Sequence, residues 1–487
     1  MAKLSAVRGQ LARRFGWGLA DQMMSSLSNA ALSFYVAREL GAAQFGAFSI
    51  AYVTYSFALN ASRGLATDPL IVRYSSAEMP KWRRAVMNST GTAAVVGVLT
   101  GVLALVAAVV MGGSLGLAFL GLGLTLPGLL LQDSWRYAFF ALGRGNQAFL
   151  NDTVWTVSML PALAALRLAH QGNVFWFVLV WGGCAYIAAA IGPLQARLMP
   201  RVSHSWLWVH LHRDLSARYL AENSANSAAS QVRLYAVGGI AGLSSVGVVQ
   251  AASLLMGPFL VIFMGISLVT VPEAARMLRK SPHRFLPYCV IIGVGLAVLG
   301  LLWGVAIYIA LPFGVGQLLL KDLWRPAGAL VPAYTVWVMA GCLIGGATAG
   351  LRALGAAKRS LRAMLIASAM FVLGGVAGAY FGGAQGTVDG AAASTLAGAA
   401  VWWWQLRVAI RESPILNGRA TTTGTMPLVT GAPKASPLQA PVPSAAVPPA
   451  AGVTASGAPA SAAPLPGPAA PRPGGRHHRP APAQPQG

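Results

Sequence analysis

The stretches GTAAVVGVLTGVLALVAAVVMGG (91–113) and YCVIIGVGLAVLGLLWGVAIYIALPF (288–313) run for more than twenty residues without a charge. That length crosses a hydrocarbon core of roughly 30 Å at 1.5 Å of rise per residue. In lipid a helix alone satisfies its own backbone over such a distance, closed barrels of shorter alternating strands apart. Working outward, the whole chain has the same character. Of 487 residues, 56% are hydrophobic and only 10% charged, with a mean hydropathy of +0.61. A water-soluble domain needs far more charge to cover its surface. The sequence predicts an all-α polytopic membrane protein of about twelve transmembrane helices. They are expected near 17–38, 44–67, 90–112, 116–141, 148–169 and 173–196, then 217–239, 246–272, 286–311, 328–351, 360–382 and 386–409.

A formal net charge of +23 would suit a nucleic-acid binder, but the placement of the charge argues otherwise. Basic residues cluster between alternate apolar blocks. Lys3, Arg8, Arg13 and Arg14 precede the first; Arg73, Lys81, Arg83 and Arg84 follow the second. Arg197, Arg201, Arg213 and Arg218 lie after the sixth, and Arg276, Arg279, Lys280 and Arg284 after the eighth. The intervening loops carry few. This is the positive-inside asymmetry, and it places both termini in the cytoplasm of a multi-pass inner-membrane protein. Nucleic acid is not an expected partner; the lipid bilayer is.

The longest charged inner loop divides the chain in two. The expected organisation is a basic N-terminus (1–16), an N-terminal six-helix lobe (17–196), an inter-lobe loop (197–216), a C-terminal six-helix lobe (217–411) and a tail (412–487). A shift of 201 positions places Leu19-Ala20-Asp21 on Leu220-Ala221-Glu222 without gaps. The same shift places Ser26 on Ser227, Gly41 on Gly242 and Gly46 on Gly247. Ala and Leu matches are cheap in such a chain, so the acidic pair and the glycine pair spaced by five carry the weight. Six spans per half give both halves one orientation, which implies a parallel internal repeat with a central cavity between the lobes. The tail is rich in Pro, Ala, Gly, Ser and Thr without an apolar face, and is expected to be disordered.

Charges inside spans are costly and face a cavity or a partner, so they head the functional candidates. Arg233 is the deepest, flanked by Gln231 and Tyr235. Arg63 and Asn60 lie towards the inner end of the second span. Asp133 and Arg136, three apart, share a helix face and can pair. The candidate substrate-binding set is therefore Arg233, Arg63, Arg136, Asn60, Asn29 and Gln231. A guanidinium suits phosphate bidentately, and Asn and Gln suit sugar hydroxyls. The alternative for Arg63, Arg136 and Asp152 is that they simply reach the inner interface by snorkelling. Asp21 and Glu222, at matching positions of the first and seventh spans, are candidates for ion or proton coupling; helix-end charges tied to neighbouring loops are the alternative.

The polar run Asp21, Gln22, Ser25, Ser26, Ser28, Asn29 is matched by Glu222, Asn223, Ser224, Asn226, Ser227, Ser230, Gln231. Small and hydroxyl residues favour close helix packing, but faces this polar on equivalent spans are more easily explained if they line water. No P-loop, metal-ligand spacing or nucleophile beside a histidine occurs, so no catalytic residue, metal or cofactor is expected, and the chain does not read as an enzyme. Cys184, Cys289 and Cys342 fall in apolar blocks as small hydrophobes.

The stretch SLSNAALSFYVARELGAAQFGAFSIAY (26–52), followed by Arg63-Gly64-Leu65, resembles the opening of polysaccharide flippases of the O-antigen and teichoic-acid exporter type. These belong to the multidrug, oligosaccharidyl-lipid and polysaccharide (MOP) exporter superfamily. Val246 to Ala252, Val271-Pro272-Glu273 and Arg352-Ala353-Leu354-Gly355 resemble the same family's second half. The resemblance covers roughly residues 15–411. It implies an alternating-access transporter that turns a polyprenyl-diphosphate-linked oligosaccharide from the inner to the outer leaflet. The implied partners are that anionic lipid-linked glycan and, in the same pathway, a polysaccharide polymerase or glycosyltransferases. The family pattern is often acidic at the position of Arg233, so a role for this residue does not carry over from it. A cation-coupled drug or metabolite exporter of the same superfamily and a non-transporting envelope-assembly scaffold are the alternatives. Unpaired carboxylates deep in one lobe point to the drug exporter, and converging arginines to the lipid-linked glycan.

Overall fold

The computed structural model describes residues 2–75, 77–413 and 416. The expected tail, from 417 on, lies outside the described residues, as do the side chains of residues 2–15, Leu19, Glu222, 224–227 (with Ser224, Asn226 and Ser227 of the polar run) and Leu268. Among the described residues the chain is all-helical, without strands. In order the α-helices are α1 (Ala2–Glu39), α2 (Ala42–Ser62), α3 (Asp68–Tyr74), α4 (Met79–Met111), α5 (Gly113–Ala141), α6 (Gly145–Leu168) and α7 (Val174–Ala196). There follow α8 (Ser205–Leu211), α9 (Arg213–Lys280), α10 (Phe285–Ala310), α11 (Val315–Leu320), α12 (Trp324–Ala353) and α13 (Ala357–Glu412).

Among the described residues, eight helical segments are long and apolar enough to cross a membrane, from Met79–Met111 to Ala357–Glu412. α1 and α2 fall outside that set because Asp21, Gln22, Asn29, Gln44 and Asn60 dilute their hydropathy. The basic N-terminus does not precede the first helix but belongs to it: α1 begins at Ala2. KLSAVRGQLARR contains good helix formers and no proline, so nothing stops the helix at residue 16.

Two helices are too long for one crossing. The 56 residues of α13 would span about 84 Å if straight. Instead the backbone leaves helical geometry at Gly382 and Gly383, the latter at φ 56°, a region open to glycine. The chain then folds back on itself. A β-carbon at Gly378 would collide with the Gly386 carbonyl, and one at Gly374 would lie 2.7 Å from the Gly390 carbonyl oxygen. Contacts at equal distances either side of residue 382 define an antiparallel helical hairpin, closely packed because its seam is glycine. In α9 the break is Gly242, at φ 82° and ψ 167°. Both breaks fall at the gaps between apolar blocks at 240–245 and 383–385.

The halves of the chain meet along α2 and the first part of α9. Gly64 abuts Leu220, where a β-carbon would stand 2.7 Å from the backbone nitrogen. Further along, Thr54 Oγ1 and Tyr235 Oη are 2.9 Å apart. Towards the loop ends of both helices, a β-carbon at Gly46 would collide with the Leu243 carbonyl, and one at Gly247 with the Ala42 carbonyl. The 201-residue shift maps Ala42 onto Leu243 and Gly46 onto Gly247, so these two contacts are images of each other. On the same side Arg38 Nη1 donates to the Leu318 carbonyl at 2.5 Å, joining α1 to α11.

Large aromatics fill the interior. Trp181 receives Phe48, Tyr52, Tyr55 and Trp155 around it, and Trp337 packs at a tilt against Tyr334 and Phe371. In contrast, Leu103 and Val109 of α4 lie exposed with nothing apolar over them. An unbroken apolar face of that kind is stable against lipid and not against water. The protein is a multi-pass membrane protein.

Candidate functional site

Five ionisable side chains converge in the first half, from α1, α2, α5 and α6. Immediately after Ser62, α2 widens into a single π-helical turn, Arg63–Thr67, the kind of bulge found at functional sites. It delivers Arg63 to Asp133 of α5 in a bidentate pair: Nε donates to Oδ2 at 2.9 Å and Nη2 to Oδ1 at 2.7 Å. The Tyr137 ring lies 4.9 Å from the same guanidinium. One turn along α5, Arg136 reaches three carboxylates. Nη2 donates to Asp21 Oδ2 at 2.5 Å, Nη1 to Asp133 Oδ1 at 3.4 Å. Its Nε lies 3.0 Å from Asp152 Oδ1, but the N–H does not point along that contact.

All five are buried. Gln132 Nε2 donates to Asp152 Oδ1 at 2.7 Å and to Asn151 Oδ1 at 3.2 Å, and Asn151 Nδ2 donates onward to the Ala188 carbonyl at 2.9 Å. Three aspartates against two arginines leave an excess of one negative charge when all are ionised. The uncompensated positions are identifiable. Asp21 Oδ1 and Asp152 Oδ2 have no hydrogen-bond partner among the described residues.

Arg233 stands apart from this cluster. It is 2% exposed, deep in α9, and its guanidinium lies 5.0 Å from the Trp337 ring and 4.9 Å from the Phe371 ring. Neither Nε nor Nη1 finds an acceptor, and no carboxylate pairs with it among the described residues. Gly375 makes the space: a β-carbon there would lie 2.6 Å from Arg233 Cδ. Cation–π contact offsets part of the cost of burying the charge, yet a guanidinium without an anion or full hydrogen bonding remains several kcal/mol uphill.

The predicted site residues thus separate. Arg63, Arg136 and Asp21 are brought together, with Asp133 and Asp152, and both arginines are already neutralised. Asn29 turns its amide to its own helix, Nδ2 donating to the Ser25 carbonyl at 2.8 Å. The Asn60 carbonyl accepts from Asn223 Nδ2 at 3.5 Å. Gln231 is buried, but residues two apart on a helix face different ways, so it does not share a face with Arg233. Arg233 does not join Arg63 and Arg136, and each of the three deep carboxylates has an arginine beside it. Asp133 with Arg136 was visible from their spacing; Asp152 had no local signal, since its partners come from other helices.

No protein-family model matches the chain, and no curated protein sequence does. Among solved structures the fold is similar to the lipid II flippase MurJ in an inward closed conformation, with a TM-score of 0.58 and 10% identity over 80% of this chain and 87% of that one. It is also similar to an inward-facing multidrug resistance MATE family transporter of the MOP superfamily, at 0.54 and 15% identity over 82% and 99%. A eukaryotic MATE transporter, AtDTX14, gives 0.52 and 13% identity over 84% and 96%. At these identities the likeness is one of fold. The chain shares its fold with a lipid flippase and with multidrug exporters.

Proposed function

We propose that this protein flips a polyprenyl-diphosphate-linked oligosaccharide, a precursor of cell-surface polysaccharide, from the inner to the outer leaflet of the cytoplasmic membrane. Twelve spans in two six-helix lobes rock about a central cavity, with both termini in the cytoplasm. The observation that carries this reading is Arg233: a buried guanidinium with open donors and, among the described residues, no carboxylate, held against two neighbouring aromatic rings. A diphosphate supplies the missing anion in a bidentate geometry that an ammonium or a neutral solute cannot. Glycosyltransferases and a polymerase of the same pathway would supply and consume the substrate.

In cells that depend on the transporter, Arg233→Ala abolishes glycan export at normal protein level. Arg233→Lys, which keeps the charge but loses the fork, restores little. Full export by Arg233→Ala removes this residue from the site. A second reading, a cation-coupled drug or metabolite exporter, draws on a different observation. The cluster of Asp21, Asp133 and Asp152 carries one more charge than Arg63 and Arg136 neutralise, and that excess suits a proton or a cation. In a flippase the same excess serves coupling, with Asp21 the residue least held.

A further inference from the structure

The segment joining the halves is more than a tether. From Arg197 it runs across α4: Arg201 N–H donates to the Met87 carbonyl at 2.7 Å, and the Arg201 backbone lies against Gly91 so closely that a β-carbon there would collide. Gly91 is also where the uncharged apolar run of α4 begins, so the segment lies level with the boundary between headgroups and hydrocarbon. The seven-residue α8 then shows two faces. Trp208 is 2% exposed, packed in a cluster with Trp82, Trp135 and Phe139. Trp206, two residues earlier, is 81% exposed, and Met199, Val202, Leu207 and Leu211 are exposed with it.

Charge accompanies this apolar face. Arg197, Arg201 and Arg213 are exposed, and Arg83 donates to the Arg197 carbonyl at 3.1 Å. The acidic residues nearby are engaged: Asp214 with Arg73 at 2.5 Å and Glu78 with Lys81 at 3.6 Å. We infer that residues 199–213 form a membrane-surface anchor that binds acidic phospholipid headgroups of the inner leaflet. Exposed tryptophan and aliphatic side chains at headgroup depth, ringed by arginines, match the chemistry of an interfacial segment on an anionic leaflet. A soluble protein partner is the weaker occupant, because the face lies at membrane depth rather than above it.

The anchor has mechanical consequences. Its inner face is fixed to the first half by Trp208, while its end leads directly into α9 of the second half. His212 at that junction is buried, with Nε2 3.1 Å from Tyr74 Oη and Nδ1 2.8 Å from the Trp208 carbonyl. Headgroup binding therefore holds the start of α9 against α3 and α4.

The test uses the full chain in nanodiscs of phosphatidylcholine alone or with about a quarter phosphatidylglycerol. Hydrogen–deuterium exchange over 199–213 is expected to be several-fold slower in the acidic discs, and the difference to shrink at high salt. Arg197→Gln, Arg201→Gln and Arg213→Gln together abolish the lipid dependence without unfolding the protein, since all three side chains are exposed. A spin label at Trp206→Cys, with Cys184, Cys289 and Cys342 changed to Ala, is expected about 5–10 Å inside the interface. Equal exchange in both discs, or a label in bulk water, overturns the proposal. So does protection that appears only when cytosolic protein is added, which assigns the face to a protein partner. None of these readouts depends on which substrate is carried.

Discussion

Replacing Arg136 with Gln tests the buried cluster in a way the geometry quantifies. Arg136 serves three carboxylates, but they do not depend on it equally. Asp133 keeps both contacts to Arg63, at 2.7 and 2.9 Å. Asp152 keeps Gln132 at 2.7 Å. Asp21 keeps nothing seen among the described residues, since Oδ2 is bound by Arg136 and Oδ1 has no partner. The variant also raises the cluster's excess from one negative charge to two. Stripping one partner from a buried pair costs about 3–5 kcal/mol, and here the cost concentrates on Asp21. Asp21→Asn in the same chain returns the excess to one and removes the orphaned carboxylate. The double variant is therefore more stable than Arg136→Gln alone, with a coupling of about 2 kcal/mol or more, towards the upper end for contacting residues. Reversible unfolding in mixed micelles, run as a double-mutant cycle, measures it. Additive single effects, or a cost below about 1 kcal/mol for Arg136→Gln, would show that the cluster is not the closed network described.

Other consequences follow from the same packing. Gly46→Ala and Gly247→Ala each drive a methyl into a backbone carbonyl that cannot rotate away; each costs about 1–3 kcal/mol or more, and raises the reactivity of a cysteine placed at Ala42. Gly375→Ala pushes against the Arg233 side chain and is expected to cut transport far more than thermal stability, read by export and melting side by side. Burial pushes the His212 imidazole below its ordinary range, so the folded state favours the neutral ring. The stability it contributes is complete above the ordinary value of about 6.5 and is lost as pH falls below it. Melting temperature should decline over that range in the wild type, and less so in His212→Gln.

The parts of the fold legible in the sequence were those with long local signals. Apolar blocks marked the helices, and the gaps at 240–245 and 383–385 marked where α9 and α13 turn, because glycine is what permits the turn. Of the glycines spaced by five at 41 and 46, and their counterparts at 242 and 247, the second of each pair, Gly46 and Gly247, is where α2 and α9 touch. Asp133 and Arg136 could be paired from their spacing of three. What joins them could not: Asp21, Arg63 and Asp152 arrive from other helices, and nothing local ties residue 21 to residue 136. The π-turn at Arg63 has no periodicity to reveal it. α8 escaped notice because seven residues are too few for an amphipathic period, and with it went Trp206 and His212. The burial of Arg233 was legible in its depth within the span, but the aromatic rings that hold it come from α12 and α13.

On the proposed reading the protein carries an anionic lipid-linked glycan and not a cationic drug. Purified protein in liposomes containing a fluorescent polyprenyl-diphosphate oligosaccharide allows that to be read directly, by the fraction of label that becomes accessible to an external lectin with time. The proposed reading requires protein-dependent translocation that is lost in Arg233→Ala and competed by unlabelled diphosphate lipid. Translocation no faster than in empty liposomes, together with protein-dependent, cation-driven export of a cationic dye that Arg233→Ala leaves intact, would contradict it.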